Sequence, residues 1–296
     1  MLDDSESMFT TVKRSLPDLR SLSLVNGWPV EQVAAGVVGW NHASGRIEVL
    51  GTVGDIEHTQ FPWASVTKML TALCVLEGVA NGEISLDEEL GPPQSTVRHV
   101  LSHASGLAPS SRSVVAKPAT KRIYSNVGYE LLGEFATDRY GLTFSALLAE
   151  KVLQPLHMHS TQLFGSPASG ARGPLSDLLR LTKKMLENTL HPSPVFAEAT
   201  STVFSGLDGV LPGFGMQRPC DWGLGFEIRN GKQPHWTGEL NSPSTFGHFG
   251  RSGSFMWVDP EALVAVACLC DREFGPWARE TWPPFADAVL TEVMEW

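Results

Sequence analysis

The sequence predicts an α+β fold, an antiparallel sheet flanked by helices with a mainly helical lobe inserted into it. Three observations predict it. Strand patterns occur near both ends of the chain, at 33–40 and 46–51 and again at 223–229, 244–248, 254–258 and 263–270. The stretch between, roughly 86 to 204, keeps a helical period and is broken by Gly and Pro. A last amphipathic segment, 284–296, reads as a helix laid on the sheet. This order divides the chain into a sheet lobe, residues 1–80 and 205–296, and a helical lobe, residues 81–204.

The first two strands are separated by Asn41-His42-Ala43-Ser44-Gly45, a turn-rich run that makes them a hairpin. From Ser65 the period changes. Val66, Met69, Leu70, Leu73, Leu76 and Val79 fall three and four apart, the spacing of one broad helical face, and Asn81-Gly82 ends it. A further helix spans 127–139. Thr143 caps another that runs to about Leu153 and is stopped by Pro155. Ser176 caps a helix over 177–190, with Leu178, Leu181, Met185 and Leu186 inward and Lys183 and Lys184 outward. The apolar run 263–270 reads as a buried strand; Cys268 and Cys270 share one of its faces and are poorly placed to bridge each other, so the four cysteines read as reduced core thiols.

Length and composition set the outer limits. At 296 residues with 42% hydrophobic and 18% charged residues, the chain can bury a sizeable core. Its net charge of −10, with no Lys- or Arg-rich run, argues against nucleic acid and anionic membrane surfaces as partners. The N-terminal MLDDSESMFTTVKRSLPDLRSL lacks the basic start and apolar run of a secretory leader, and no apolar stretch is long enough to span a bilayer, so a cytoplasmic location is expected. No G-x-S-x-G elbow, Walker loop or G-x-G-x-x-G fingerprint occurs. His99, His103, His157 and His159 do not have metal-ligand company, so neither a metal nor a cofactor is expected.

Three elements carry chemistry. In Ser65-Val66-Thr67-Lys68 a serine at a helix N-terminus and a lysine one turn later lie on the same face. A serine hydroxyl becomes a nucleophile only when a base removes its proton, and a lysine can be that base when burial lowers its pKa. Phe61-Pro62-Trp63-Ala64 and Met69-Leu70 supply apolar surroundings. Tyr124-Ser125-Asn126 opens the next helix; the tyrosine can pass protons, and the asparagine can bond a substrate amide or orient the lysine. His248-Phe249-Gly250 lies on a late strand, where the glycine permits close approach and the amide of Arg251 can join that of Ser65 in an oxyanion hole.

Together these elements resemble the serine β-lactamase/penicillin-binding protein (DD-peptidase) superfamily, in the branch of class C β-lactamases, D-alanyl-D-alanine carboxypeptidases, D-aminopeptidases and lactamase-like esterases. The likeness runs from about Ala34 to the C-terminus. It is carried by FPWASVTK (61–68), EGVANGEISLD (77–87), VRHVLSHASGL (97–107), YSNVGYELLG (124–133) and Gln154-Pro155-Leu156 with Met158. It implies the β-lactamase/transpeptidase-like version of the fold, with the active site between the lobes. It also implies Ser65 as nucleophile, Lys68 and Tyr124 sharing the base role, and Asn126 and His248 contacting substrate. The amides of Ser65 and Arg251, beside Gly250, would hold the oxyanion.

Two positions depart from the pattern. Phe249 stands where the resemblance implies a hydroxyl residue that helps hold a substrate carboxylate, and His157 stands where it implies glycine. Arg251 offers a neighbouring cation that can restore carboxylate binding. The expected function is therefore hydrolysis, through an acyl-enzyme, of a small-molecule or short-peptide ester, amide or β-lactam-like substrate. Esterase or D-amino-acid peptidase activity is favoured over efficient β-lactamase activity. The alternatives are a non-catalytic penicillin-binding-like module, a DD-carboxypeptidase or a transacylase.

Overall fold

The computed structural model describes residues 19–295; the first eighteen residues of the stretch read for a leader, and Trp296 at the end of the expected closing helix, lie outside them. A 3-10 turn, Arg20–Gly27, leads to strands β1 (Val33–Asn41) and β2 (Arg46–Val53). The hairpin between them is closed by Asn41, whose Oδ1 accepts from the Ala43 amide at 2.9 Å. Strand β3 (Phe61–Pro62) precedes a 3-10 turn, Ala64–Val66, that runs into α1 (Thr67–Ala80). Then come α2 (Val97–Leu101), α3 (Asn126–Tyr140), and α4 (Phe144–Leu148) with its π-helical continuation Ala149–Leu153. Strands β4 (Gln162–Leu163) and β5 (Ala171–Gly173) precede helices α5 (Leu175–Leu190) and α6 (Pro194–Ala199). The chain finishes with strands β6 (Gly209–Leu211), β7 (Gly215–Gln217), β8 (Glu227–Ile228), β9 (Phe246–Phe249), β10 (Phe255–Asp259) and β11 (Val264–Cys270), and helix α7 (Pro276–Met294).

The main sheet has the order β2-β1-β11-β10-β9-β8 and its described pairs are antiparallel. The two ends of the chain meet in it, Val33 opposite Cys270 and Gly39 opposite Val264. Side chains alternate between its faces. Ala34, Val38, Met256, Val258, Ala265 and Ala267 join one apolar cluster with Met69 and Leu70 of α1 and Leu178 and Leu181 of α5. Ala35, Val37, Phe255, Trp257, Val266 and Cys268 join a second, with Trp277, Trp282, Phe285 and Val289 of α7. Helix α5, which lies in sequence among the middle helices, thus packs on the sheet. Its apolar stripe accounts for that position.

The structure redraws three expected elements and keeps a fourth. The strand expected over 223–229 shortens to Glu227–Ile228, because Gly223 turns back to bond Phe226 at 2.8 Å and Gly225 takes φ +97°. Ser176 does not cap α5: the helix starts at Leu175 after Pro174, and the Ser176 amide donates instead to Ile56 O at 2.8 Å. Thr143 does cap α4, accepting from the Ala146 amide at 3.3 Å. The closing helix starts eight residues earlier than the sequence suggested and contains Pro283 and Pro284. Both prolines deprive a preceding carbonyl of its donor, but those carbonyls belong to the exposed Arg279 and Glu280, where water can replace it. His157 has φ +56°, the left-handed region that glycine adopts most readily, so its turn keeps a glycine-like backbone without glycine.

Candidate active site

Ser65 sits in the turn just before α1. Ala64 ahead of it has φ +45°, a backbone state costing on the order of 1 kcal/mol for a residue with a Cβ. The surroundings hold that state. Trp63 is fully buried, its amide donates to Ala171 O at 2.9 Å and its indole to Gly173 O at 3.2 Å. Strand β5 thereby clamps the turn from one side. Thr67 Oγ1 accepts the Ala171 amide at 3.0 Å and adds a third tie.

Lys68 follows one turn later and is completely buried. Its Nζ lies 3.3 Å from Ser65 Oγ, 2.6 Å from Asn126 Oδ1 and 2.9 Å from the Ala168 carbonyl. Burial of the ammonium pulls its pKa from 10.5 down to about 7, while the Glu130 carboxylate pushes the other way. The amine is therefore partly neutral near pH 7, and that neutrality originates in desolvation.

Tyr124 and Asn126 arrive at the N-terminus of α3, whose cap is Ser125, accepting from the Gly128 amide at 3.2 Å. The Tyr124 ring centre is 4.8 Å from Lys68 Nζ. Burial raises the phenol's pKa, and hydrogen bonding with the Ser65 side chain lowers it in part. His103 at 4.6 Å, Trp222 at 5.8 Å and His248 at 5.8 Å surround the ring. Burial above all, and the nearby Lys68, hold His248 down to about 3. Its Nδ1 is 2.7 Å from the Phe249 carbonyl, an acceptor only, so Nδ1 carries the hydrogen and Nε2 the lone pair.

The end of β9 closes the other side. A Cβ on Gly250 would stand 2.5 Å from the Trp63 carbonyl and 3.1 Å from Ala64 Cβ, so only glycine lets this strand end lie against the serine turn. Ser254 Oγ donates to the same Trp63 carbonyl at 2.8 Å. The next amide, that of Arg251, has no acceptor among the described residues. The Arg251 side chain points to solvent and pairs with Glu273 at 3.3 Å. Phe249 is half-buried in an aromatic layer, 5.0 Å from Phe274, 5.7 Å from Trp236 and 5.9 Å from Phe214. A cavity of about 770 Å³ opens over these residues, with Ser65, Tyr124, Asn126, His248 and Phe249 in its wall.

All seven site residues expected from the sequence thus gather around or directly behind this cavity. Several contributors escaped sequence reading. The Ala168 carbonyl has no sequence signature. Arg122 is buried and donates to Ser102 O at 2.6 Å, Val203 O at 2.7 Å, Cys220 O at 3.0 Å and Phe204 O at 3.1 Å, tying three segments together two residues ahead of Tyr124. Glu227, on the cavity wall, is buried with Lys232, with His235 Nε2 at 2.9 Å and with the Trp236 indole at 3.0 Å. Burial opposes ionisation of that carboxyl, but the Lys232 charge and the hydrogen bonds from His235 and Lys232 outweigh it and lower its pKa. An acid inside an otherwise apolar strand segment, with a lysine and a histidine within eight residues, was the available signal. Among the described residues no helix is long and apolar enough to cross a membrane.

Comparison with known proteins gives consistent likenesses. The family model described as Beta-lactamase matches residues 31–291. A crystal structure of a beta-lactamase from Mycobacterium bovis is 48% identical, with a TM-score of 0.86 over 92% of this chain and 99% of that one. Two more distant structures share the fold. The octameric penicillin-binding protein homologue from Pyrococcus abyssi is 19% identical, TM-score 0.69, over 92% of this chain and 75% of that one. A simvastatin synthase mutant from Aspergillus terreus is 15% identical, TM-score 0.74, over 93% and 98% respectively. A curated fimbrial assembly protein, FimD of serogroup D from Dichelobacter nodosus, is 30% identical over a part that covers 30% of this chain and 32% of that protein's length.

Proposed function

Because this chain belongs to the beta-lactamase family of serine hydrolases, we propose that it cleaves a small ester or amide through an acyl-enzyme on Ser65, with β-lactams as poorer substrates. The observation that carries the reading is the hydrogen bonding of Lys68. A neutral amine has two N–H donors and one lone pair. Asn126 Oδ1 and the Ala168 carbonyl can only accept, so they take both donors. The lone pair is left for the Ser65 hydroxyl, 3.3 Å away.

In the first step Ser65 Oγ attacks the substrate carbonyl carbon and its proton passes to Lys68 Nζ. The C=O π electrons move onto oxygen, toward the amides of Ser65 and Arg251. The C–O or C–N bond then breaks, and the leaving group takes a proton relayed by Tyr124. Lys68 and Tyr124 act as one coupled unit. Water repeats the sequence on the acyl-enzyme and releases the acid. An acceptor other than water in this second step would make the protein a transacylase.

The non-catalytic reading draws on Phe249, whose ring lies where a hydroxyl residue would serve carboxylate binding. Intact-protein mass spectrometry after exposure to a fluorophosphonate separates the two. A stoichiometric adduct that disappears in Ser65→Ala is expected. An unmodified protein would leave a binding module.

A further inference from the structure

The walls of the cavity differ in chemistry from its floor, and the difference bears on which acyl groups can enter. Resting on the acyl-enzyme reading above, we propose that this pocket selects esters and amides with an uncharged, apolar acyl group and rejects those whose acyl group carries a carboxylate.

Three independent features carry the inference. The first is the apolar surface. The Phe249 and Phe274 rings, 5.0 Å apart, line the cavity together with Leu211. Phe249 is held from behind by Trp236 at 5.7 Å and Trp282 at 5.9 Å, so its ring cannot swing aside without breaking the layer under α7.

The second is His248. Its Nε2 is buried, faces no hydrogen-bond partner among the described residues, and belongs to a side chain on the cavity wall. The Phe249 carbonyl fixes the proton on the other nitrogen. The one N–H of this neutral ring is therefore committed to that carbonyl, and His248 has no N–H left to hold a carboxylate brought against this wall.

The third is the rim. Asp271 and Glu273 both border the cavity, and Asp271 is fixed there by the Glu31 amide at 3.2 Å and the Gln32 amide at 3.0 Å. The cation in that rim, Arg251, is already paired with Glu273 at 3.3 Å. Two carboxylates against one guanidinium leave the entrance negative. Glu227, also on the wall, is matched internally by Lys232 and His235 and adds no free anion.

The test compares two esters of one shape, the neutral p-nitrophenyl levulinate and the anionic p-nitrophenyl hemisuccinate, with the enzyme-free release of each subtracted. We expect kcat/KM for the levulinate to exceed that for the hemisuccinate by roughly tenfold or more at low ionic strength, and the ratio to shrink in high salt, because the rim is exposed and screened. Glu273→Gln should lower the ratio by about two- to fourfold by removing one anion and freeing Arg251. Phe249→Ser should lower it further, and Glu273→Gln, at an exposed position, carries the test if that variant does not fold. Equal or faster turnover of the hemisuccinate overturns the proposal, as does a ratio that neither salt nor Glu273→Gln changes. Fluorophosphonate labelling of Ser65 in the same preparation distinguishes the two levels. Labelled protein with the wrong preference sinks the selectivity alone, whereas unlabelled protein sinks the acyl-enzyme reading and the selectivity with it.

Discussion

Lys68 has a hydroxyl, a side-chain amide oxygen and a main-chain carbonyl as partners, and no carboxylate among the ion pairs of the described residues. Such a site favours the neutral amine, and the consequence is a pH dependence with a definite sign. Below about 7 the amine is protonated and its lone pair is lost; above that value the base is present. Burial places Tyr124 above the ordinary phenol range and His248 at about 3, so neither titrates near neutrality. We therefore expect kcat/KM to rise with pH along one ascending limb centred near 7. Removing the opposing carboxylate in Glu130→Gln should move the limb to lower pH. A profile falling through neutrality would contradict the base assignment. At this scale the side-chain pairing was legible, because a three-residue spacing on a helix fixes which side chains meet. The Ala64 backbone state and the Ala168 acceptor were not, since neither depends on which side chain is present.

Two elements deliver the remaining groups, and each rests on one residue. The first is the end of β9, which touches the serine turn only because residue 250 has no Cβ. Gly250→Ala must push the strand end and the Arg251 amide away from Ser65. If that amide is an oxyanion donor, kcat should fall by about a hundredfold while the fold survives; unchanged kcat with a native circular dichroism spectrum would remove it from the mechanism. The second is the segment before α3, pinned by the four carbonyl bonds of Arg122. Arg122→Met leaves those buried acceptors without a donor and should lower unfolding stability by about 3 kcal/mol or more, readable as a shifted denaturant midpoint. The last strand was legible as a continuous apolar run, and the helix before Tyr140 as the segment that Tyr124-Ser125-Asn126 opens. The start of α7 was not. Its prolines read as a boundary, and the aromatic burial of Trp277 and Trp282 overrides that signal. Arg122 was equally hidden, because a buried arginine without a carboxylate looks like a surface one in sequence.

For the molecule as a whole, the joining of both chain ends in one sheet was foreseen from element order alone, whereas the placement of α5 on the sheet depends on packing between distant segments. The same interior holds three histidines, His103, His235 and His248, whose pKa values burial lowers below the ordinary 6.5. Their protonation favours the unfolded chain: as pH falls below about 6.5 that chain takes up protons the native state refuses. Each such histidine removes about 1.4 kcal/mol of stability per pH unit over the range where only the unfolded form is charged. Thermal unfolding should therefore move steeply to lower temperature as pH falls from 6.5 toward 4.5, and a flat profile there would argue against neutral buried imidazoles. The four thiols, finally, all lie inside, and burial raises every one of them, Cys270 to about 11. Iodoacetamide should spare them while the fold is closed and reach them only when it opens. Cys268 and Cys270 lie on a central strand and Cys74 on the helix that begins beside Ser65, so the order in which they alkylate becomes a built-in clock for which part of the protein comes apart first.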